Sequence, residues 1–421
     1  MPRAITLRDA RVLSRIITFA IKKEAFSRSE LAEALDLSRS AVDIKLDLLL
    51  KHKLLTQGKL LDSTGGRAPR EIRFNQNAGY VLVIELGATG GLIGIADLVG
   101  NILTRSNVKL DISEGPQKVL GALQAVIEKT ISKLDGTLWG IGIGLPGPVE
   151  YASGMLIAPP IMPGWDRFPV RVYLEKKYKV PVWVDNEVNL MALGESRAGA
   201  GREMHSIVYI KIGIGIGGGL VYQGQLLHGE SGSAGDIGHL KAKSESTIVC
   251  RCGKRGCLEA LAGAPAILRE ALRIAKNGES KYLSAALKSK RDVDIELLTQ
   301  AILAGDPKSI QIANEAGGLI GSAIAQILFL FNPSKVVIGG RVSALGNELL
   351  SSIRRTVYDE ASALSTRNLS IEISNISDDV GIKGAGYLVL EELIKPERLL
   401  LWLKSGSPFG KPELSAVKAE L

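Results

Sequence analysis

Residues 205–227, HSIVYIKIGIGIGGGLVYQGQLL, read as a strand, a glycine bend, a second strand and a turn, with β-branched residues flanking the bend. The same outline stands earlier, at residues 79–103, as GYVLVIELGATGGLIGIADLVGNIL. Two such hairpins, separated by helical stretches such as Gln117 to Leu134, predict a duplicated α/β body in two lobes. Glycines at these bends either let backbone N–H groups approach a phosphate across a cleft or simply permit the turns. Neither copy carries the GxxxxGK[ST] loop of P-loop proteins.

The chain of 421 residues is long enough for two or three domains. Its net charge of +8 is unevenly placed, because residues 1–77 hold 15 Lys and Arg against 9 Asp and Glu. A basic module on a near-neutral body predicts that the small part meets a polyanion. The longest nearly apolar run, Leu319 to Phe331, contains Gly, Ser and Gln and is shorter than the ~18 residues of a membrane span. The opening MPRAITLRDARVLSR interrupts every apolar stretch with charge, so neither a membrane span nor a secretory signal is expected, and the cytoplasm is the default compartment. Three cysteines, all between Cys250 and Cys257, are too few and too odd in number for a disulfide framework and suggest a metal.

Within the basic module, Leu13, Ile16, Ile17 and Ala20 recur at helical spacing and predict a helix ending near Lys23. Ser27 or Ser29 caps a second helix with Leu31, Ala32 and Leu35 inward, and Asp36 and Leu37 make a turn. A third helix opens at Ser38 and buries Val42, Leu46 and Leu49, leaving Arg39, Ser40, Asp43, Lys45 and Asp47 on its polar side. This is a helix-turn-helix pattern, whose third helix enters a major groove with Arg39 and Ser40 foremost. The following LLTQGKLLDSTGGRAPREIRFN alternates like two strands around Gly65, Gly66 and Arg67, the outline of a wing whose arginine fits a narrow minor groove.

Taken together, the helix-turn-helix, the paired glycine hairpins and two further stretches resemble the ROK family of sugar-responsive repressors and sugar kinases. The stretches are IGIGIGGGLVYQGQLLHGESGSAGDIGH (residues 212–239) and CRCGKRGCLE (residues 250–259). The resemblance implies an N-terminal winged helix-turn-helix followed by a two-lobed, duplicated, actin-like ATPase fold, with a sugar in the cleft and a structural zinc. Boundaries are expected at residues 1–77, 78–395 and 396–421, the winged helix folding separately and the tail after Pro396 forming a docked helix or disorder. His239, Cys250, Cys252 and Cys257 would hold the zinc, and one imidazole with three thiolates also suits a closed tetrahedral site on chemical grounds.

Carried over residue by residue, the resemblance implies a sugar site of Asn186, Glu187, Asp236, His239, Glu259 and Gly147. Asn186 would hold hydroxyls, and Glu187 stands where the family's catalytic Asp would be. Gly144, Pro146 and Gly147 in GIGLPGP shape the floor, and Trp165 in PGWD either stacks on a sugar face or is a core aromatic. Departures from a kinase accumulate. Glu85 replaces an Asp in the first phosphate loop, Ile214 a Thr in the second, and Arg341 a Gly near the nucleotide base. Glu187 is one methylene longer than the usual base, and a misplacement on the order of 1 Å costs about 10²-fold in rate. The expectation is a sugar-responsive repressor with no catalytic residue and no need of ATP, an active or bifunctional ATP-dependent sugar kinase being the alternative. Its partners would be double-stranded operator DNA, a monosaccharide or small oligosaccharide, and further copies of the chain as a homodimer or dimer of dimers.

Overall fold

The computed structural model describes residues 5–60, 70–376 and 379–417. Helix α1 (Leu7–Lys22) starts with a reciprocal cap, the Thr6 hydroxyl accepting from the Asp9 N–H while the Asp9 carboxylate accepts from the Thr6 N–H. Helix α2 (Arg28–Leu35) repeats the device with Ser27 and Glu30. Asp36 adopts the left-handed conformation at φ 51°, which turns the chain sharply into α3 (Arg39–Lys51), capped by Ser38. Leu13, Ile16, Ile17, Ala20, Leu31, Val42, Leu46 and Leu49 are buried where the spacing placed them. Strands β1 (Leu55–Leu60) and β2 (Arg70–Phe74) pair antiparallel in the position of a wing, and the Gly65 to Arg67 tip lies outside the described residues.

The body is built from two sheets with the same wiring. In the first, β3 (Tyr80–Leu86), β4 (Gly91–Ala96), β5 (Ile102–Val108), β6 (Leu138–Leu145) and β9 (Val182–Asn186) lie in the order β5-β4-β3-β6-β9, and β7 (Val149–Glu150) and β8 (Met155–Leu156) make a short hairpin. In the second, β10 (Ser206–Ile212), β11 (Ile216–Tyr222), β12 (Gln225–Leu226), β13 (Lys335–Gly339) and β14 (Ser370–Ile373) lie in the order β12-β11-β10-β13-β14. Each sheet opens with an antiparallel meander and continues with two parallel strands, so the duplication read from the hairpins extends to the whole sheet.

Helices α4 (Pro116–Ile131) and α5 (Val170–Tyr178) pack against the first sheet. The second lobe carries α7 (Leu258–Ala262), α8 (Ala264–Lys276), α9 (Lys281–Lys288), α10 (Ile295–Leu303), α11 (Pro307–Phe331), α12 (Asn347–Glu360) and α13 (Ala363–Thr366). Helix α6 (Glu187–Ala198) leaves the first sheet to lie on β10 and β11, while α14 (Val380–Leu393) returns from the second to lie on β3 and β6. The two cross backbone to backbone. A Cβ on Gly384 would fall 1.7 Å from the Leu190 carbonyl, and one on Gly194 would fall 2.2 Å from that of Val380. At 25 residues, α11 is longer than the apolar run seen in the sequence and could cross a membrane by length and composition. It is a core helix: Ile312, Ile320, Ile324 and Leu328 are buried, and Gly317 and Gly321 press on Ser352 and Thr356 of α12.

The tail, described through Val417, packs on the N-terminal unit that was expected to fold separately. Helix α15 (Pro396–Trp402) buries Leu399 and Trp402 and packs on α1. The Trp402 indole donates to the Leu393 carbonyl at 2.8 Å and meets Trp139 edge-on at 5.1 Å. Leu13, Ile16, Ile17 and Phe26 of the N-terminal unit thereby join Trp139, Leu390, Leu393, Trp402 and Leu414 in one continuous apolar cluster. The helices do not form a core closed on itself. A small apolar gap remains along this seam, between Ile17, Phe74, Trp139, Leu390 and Trp402.

Candidate functional site

Strand β9 ends on Asn186, and α6 begins on the next residue. The Asn186 amide already makes two contacts: its Oδ1 accepts from the Val188 N–H at 2.8 Å and its Nδ2 donates to the Gly147 carbonyl at 2.8 Å. It therefore fixes the helix start to the Gly147 carbonyl, and one lone pair and one N–H of the amide stay unused. Gly147 is confined, since a Cβ there would come within 3.1 Å of both Leu156 and Pro159. Glu187 is buried, and its Oε1 accepts from the Lys211 ammonium at 3.0 Å. Burial disfavours that ammonium, but the Glu187 and Glu85 carboxylates outweigh it and hold the Lys211 pKa above its ordinary value. The other Glu187 oxygen, Oε2, is buried without a hydrogen-bond partner among the described residues. Lys211 was not singled out from the sequence, although a lone lysine within the apolar YIKIG of β10 was the available signal.

The cysteines and His239 converge as their clustering suggested. One ligand atom from each of His239, Cys250, Cys252 and Cys257 lies within 4.8 Å of all the others. Sulfurs held at about 2.3 Å by a tetrahedral metal would stand about 3.8 Å apart. Cys252 and Cys257 are 3.7 Å apart, as are the Cys250 sulfur and His239 Nδ1. Gly256 makes the doubling-back possible, with φ 74° and a Cβ position 2.2 Å from the Lys243 carbonyl. The imidazole has two faces: Nδ1 looks into the cluster and Nε2 lies 3.9 Å from the exposed Asp236 carboxylate. Glu259 ties the cluster to the glycine bend, its Oε2 accepting from the Ile216 N–H at 3.2 Å and filling the space where a Cβ on Gly215 would fall.

Trp165 is the core aromatic and not a stacking platform. It is fully buried, its indole donates to the Ile112 carbonyl at 3.0 Å, and its edge meets Phe168.

Another polar group was missed because its members come from distant segments. Asp185, 1% exposed, accepts from the Asn186 N–H at 2.7 Å and the Asn189 amide at 2.9 Å through Oδ1, and pairs with His228 Nε2 at 2.7 Å through Oδ2. Burial opposes the imidazolium, yet the Asp185 charge and hydrogen bond more than offset it, so the His228 pKa is raised. The His228 ring stacks on Tyr151 with centroids 4.0 Å apart, and the Tyr151 hydroxyl donates to Glu392 at 3.1 Å.

On the N-terminal unit, Arg39 and Ser40 are exposed at the start of α3. Asp43 and Asp47 are held by Arg28 of α2, at 2.5 Å and 2.9 Å. Lys45 turns back to Asp9 of α1 and holds that carboxyl well below the usual range, so it braces the helices instead of facing outward. Gly66 and Arg67 lie outside the described residues. Ile44, passed over in the sequence, is 68% exposed on α3.

Residues 81–392 match the ROK family. The chain belongs to the ROK family. It is 29% identical over 383 residues to the xylose repressor of Caldicellulosiruptor bescii, covering 90% of this chain and 95% of that one. It is 32% identical over 316 residues to the glucokinase of Halalkalibacterium halodurans, covering 73% of this chain and 94% of that one. A solved ROK family transcriptional regulator, a homolog of the E. coli Mlc protein, shares the fold with TM-score 0.82 over 95% of this chain and 100% of its own, at 23% identity. The two ROK regulators match nearly the whole chain, whereas the glucokinase, itself matched almost end to end, leaves more than a quarter of it uncovered. Ile214 is 38% exposed at the tip of the second glycine bend, Arg341 is exposed beyond Gly340, and Glu85 lies under α14, where a Cβ on Gly381 would meet it at 1.9 Å.

Proposed function

We propose that this ROK protein is a sugar-responsive transcriptional repressor acting in the cytoplasm. It would grip operator DNA with its winged helix-turn-helix and change its affinity when a sugar enters the cleft. The observation that carries the reading is the Lys211–Glu187 ion pair, which sets a lysine-bound glutamate where a sugar kinase would carry its aspartate base. Asp236, His239 Nε2, Glu259 and the free valences of Asn186 offer donors and acceptors suited to adjacent hydroxyls. The cluster of His239 and three cysteines fits zinc in donor type, number and spacing, and the ion would set the His239 ring toward the cleft. Its coupling to DNA needs a ligand that prefers one arrangement of the protein over the other. A second reading, an ATP-dependent sugar kinase, is favoured by the glucokinase relative.

Turnover separates the two readings. With a sugar that raises the melting temperature and excess Mg-ATP, ADP release is expected to stay far below the roughly 1 to 100 per second of working kinases. Release within that range would replace the repressor by the kinase.

Operator binding tests the other half. As a dimer, the protein is expected to select a two-fold repeat with half-sites whole helical turns apart, and to lose affinity steeply as salt rises. Arg39→Ala should reduce operator affinity by about 1–3 kcal/mol if Arg39 reads a base, or lower the salt slope by about one if it holds a phosphate. Lys45→Ala should act on stability with little change in that slope. Equal affinity for operator and random DNA at moderate salt would defeat the specific-repressor reading.

A further inference from the structure

We propose that the buried chain Asp185–His228–Tyr151–Glu392–Arg398 is the line by which the cleft governs the placement of the N-terminal helices. This rests on the repressor reading and says how that cleft is coupled. Asp185 belongs to β9 of the first lobe and holds the backbone N–H of Asn186, so a ligand that shifts Asn186 or the start of α6 is felt there first. Its other oxygen pairs with His228, which follows β12 of the second lobe on the loop that continues to Asp236 and His239. The ion pair therefore spans the two lobes beside the cleft. Tyr151 carries the contact back to the first lobe by stacking on His228 and donating to Glu392 at the end of α14.

From Glu392 the chain enters the tail. Glu392 is 6% exposed and Arg398 5%, and they pair at 2.5 Å. Arg398 lies over the Trp183 ring at 5.7 Å, two residues before Asp185 on the same strand, and donates to the carbonyls of Leu414 at 2.9 Å and Val417 at 2.7 Å. It thus clasps the strap whose α15 packs on α1. Gluing a tail to a body needs only apolar side chains, and buried ions serve that end poorly because each must recover its hydration from partners. Two such pairs, Asp185–His228 and Glu392–Arg398, joined by the Tyr151 hydroxyl beside an incompletely filled apolar seam, suit an element with two arrangements that both ends can bias.

The test uses Tyr151→Phe, which keeps the ring on His228 and removes only the hydroxyl on Glu392, with Glu392→Gln as a second variant should the first fold poorly. Operator affinity is measured without sugar and with D-xylose, D-glucose or N-acetyl-D-glucosamine, and hydrogen exchange is followed in Leu7–Lys22. Sugar affinity and sugar-free operator affinity are expected to stay within about two-fold of the parent, while the sugar-induced change in operator affinity shrinks at least about five-fold. Tyr151→Phe combined with His228→Gln should do no more than either alone, as members of one line are not additive. Full retention of the sugar response by the single variants, or additive losses, would overturn the proposal. A parent protein whose operator affinity no sugar changes would instead defeat the repressor reading. The coupling line is then decided by exchange in Leu7–Lys22, faster in Tyr151→Phe if the line exists and unchanged if it does not.

Discussion

Trp402→Ala is expected to destabilise the protein by about 3–5 kcal/mol, the range for deleting a fully buried large aromatic. Its indole is 1% exposed, bonded to the Leu393 carbonyl and set edge-on against Trp139. The direction of the functional effect is more informative than the size. Because Trp402 belongs to the cluster that also holds Leu13, Ile16 and Ile17, its loss should loosen α1 as well as the tail, and operator binding should fall at temperatures where the body remains folded. Chemical denaturation followed by circular dichroism, alongside gel-shift assays, would check both. A variant with normal operator affinity and an unaltered N-terminal unit would show that the shared cluster is incidental.

Freshly purified, chelator-free protein is expected to carry about one zinc per chain, and Cys257→Ser to lose most of it. The Cys252–Cys257 and Cys250–His239 spacings match those a tetrahedral ion would impose, and removing one buried thiolate leaves three donors without their fourth. The consequence should reach the cleft. With His239 no longer fixed through Nδ1, Nε2 loses its aim beside Asp236, and sugar affinity should fall by about 10–100-fold, the scale on which orienting interactions around a metal act. Metal analysis of the parent protein settles the first point: no zinc in an active preparation sinks the idea. Calorimetry with a stabilising sugar settles the second.

What the sequence disclosed was whatever a short period or a local spacing encodes. The three N-terminal helices follow from the positions of Leu13 to Leu49, and the caps Ser27 and Ser38 act within three residues of their targets. The paired hairpins announced two lobes because each strand and its partner are neighbours in the chain. Pairings across the fold left no such trace. Lys211 meets Glu187 only because β10 and the start of α6 face each other, and Tyr151 reaches Glu392 across 241 positions. Trp165 kept an ambiguous reading, because the same indole serves a sugar face or a core and only its bond to Ile112 distinguishes them. The apolar run Leu319 to Phe331 marked only part of α11, because the helix starts at Pro307 with polar residues such as Lys308 and Gln311 and passes Gly317 against α12 before the run begins.

The joining of both ends of the chain in one apolar cluster bears on how such proteins can recombine. A protein strung as independent beads exchanges its DNA-reading head with a single crossover in the linker. Here the head rests on residues from the opposite end of the chain, and the strap that holds it is clasped to strand β9 through Trp183. A chimera cut once near residue 77 would set a new head on a seat shaped for the old one. A viable exchange needs two junctions, one after the hairpin of β1 and β2 and one before α15, so head and tail are inherited as a pair although most of the chain separates them.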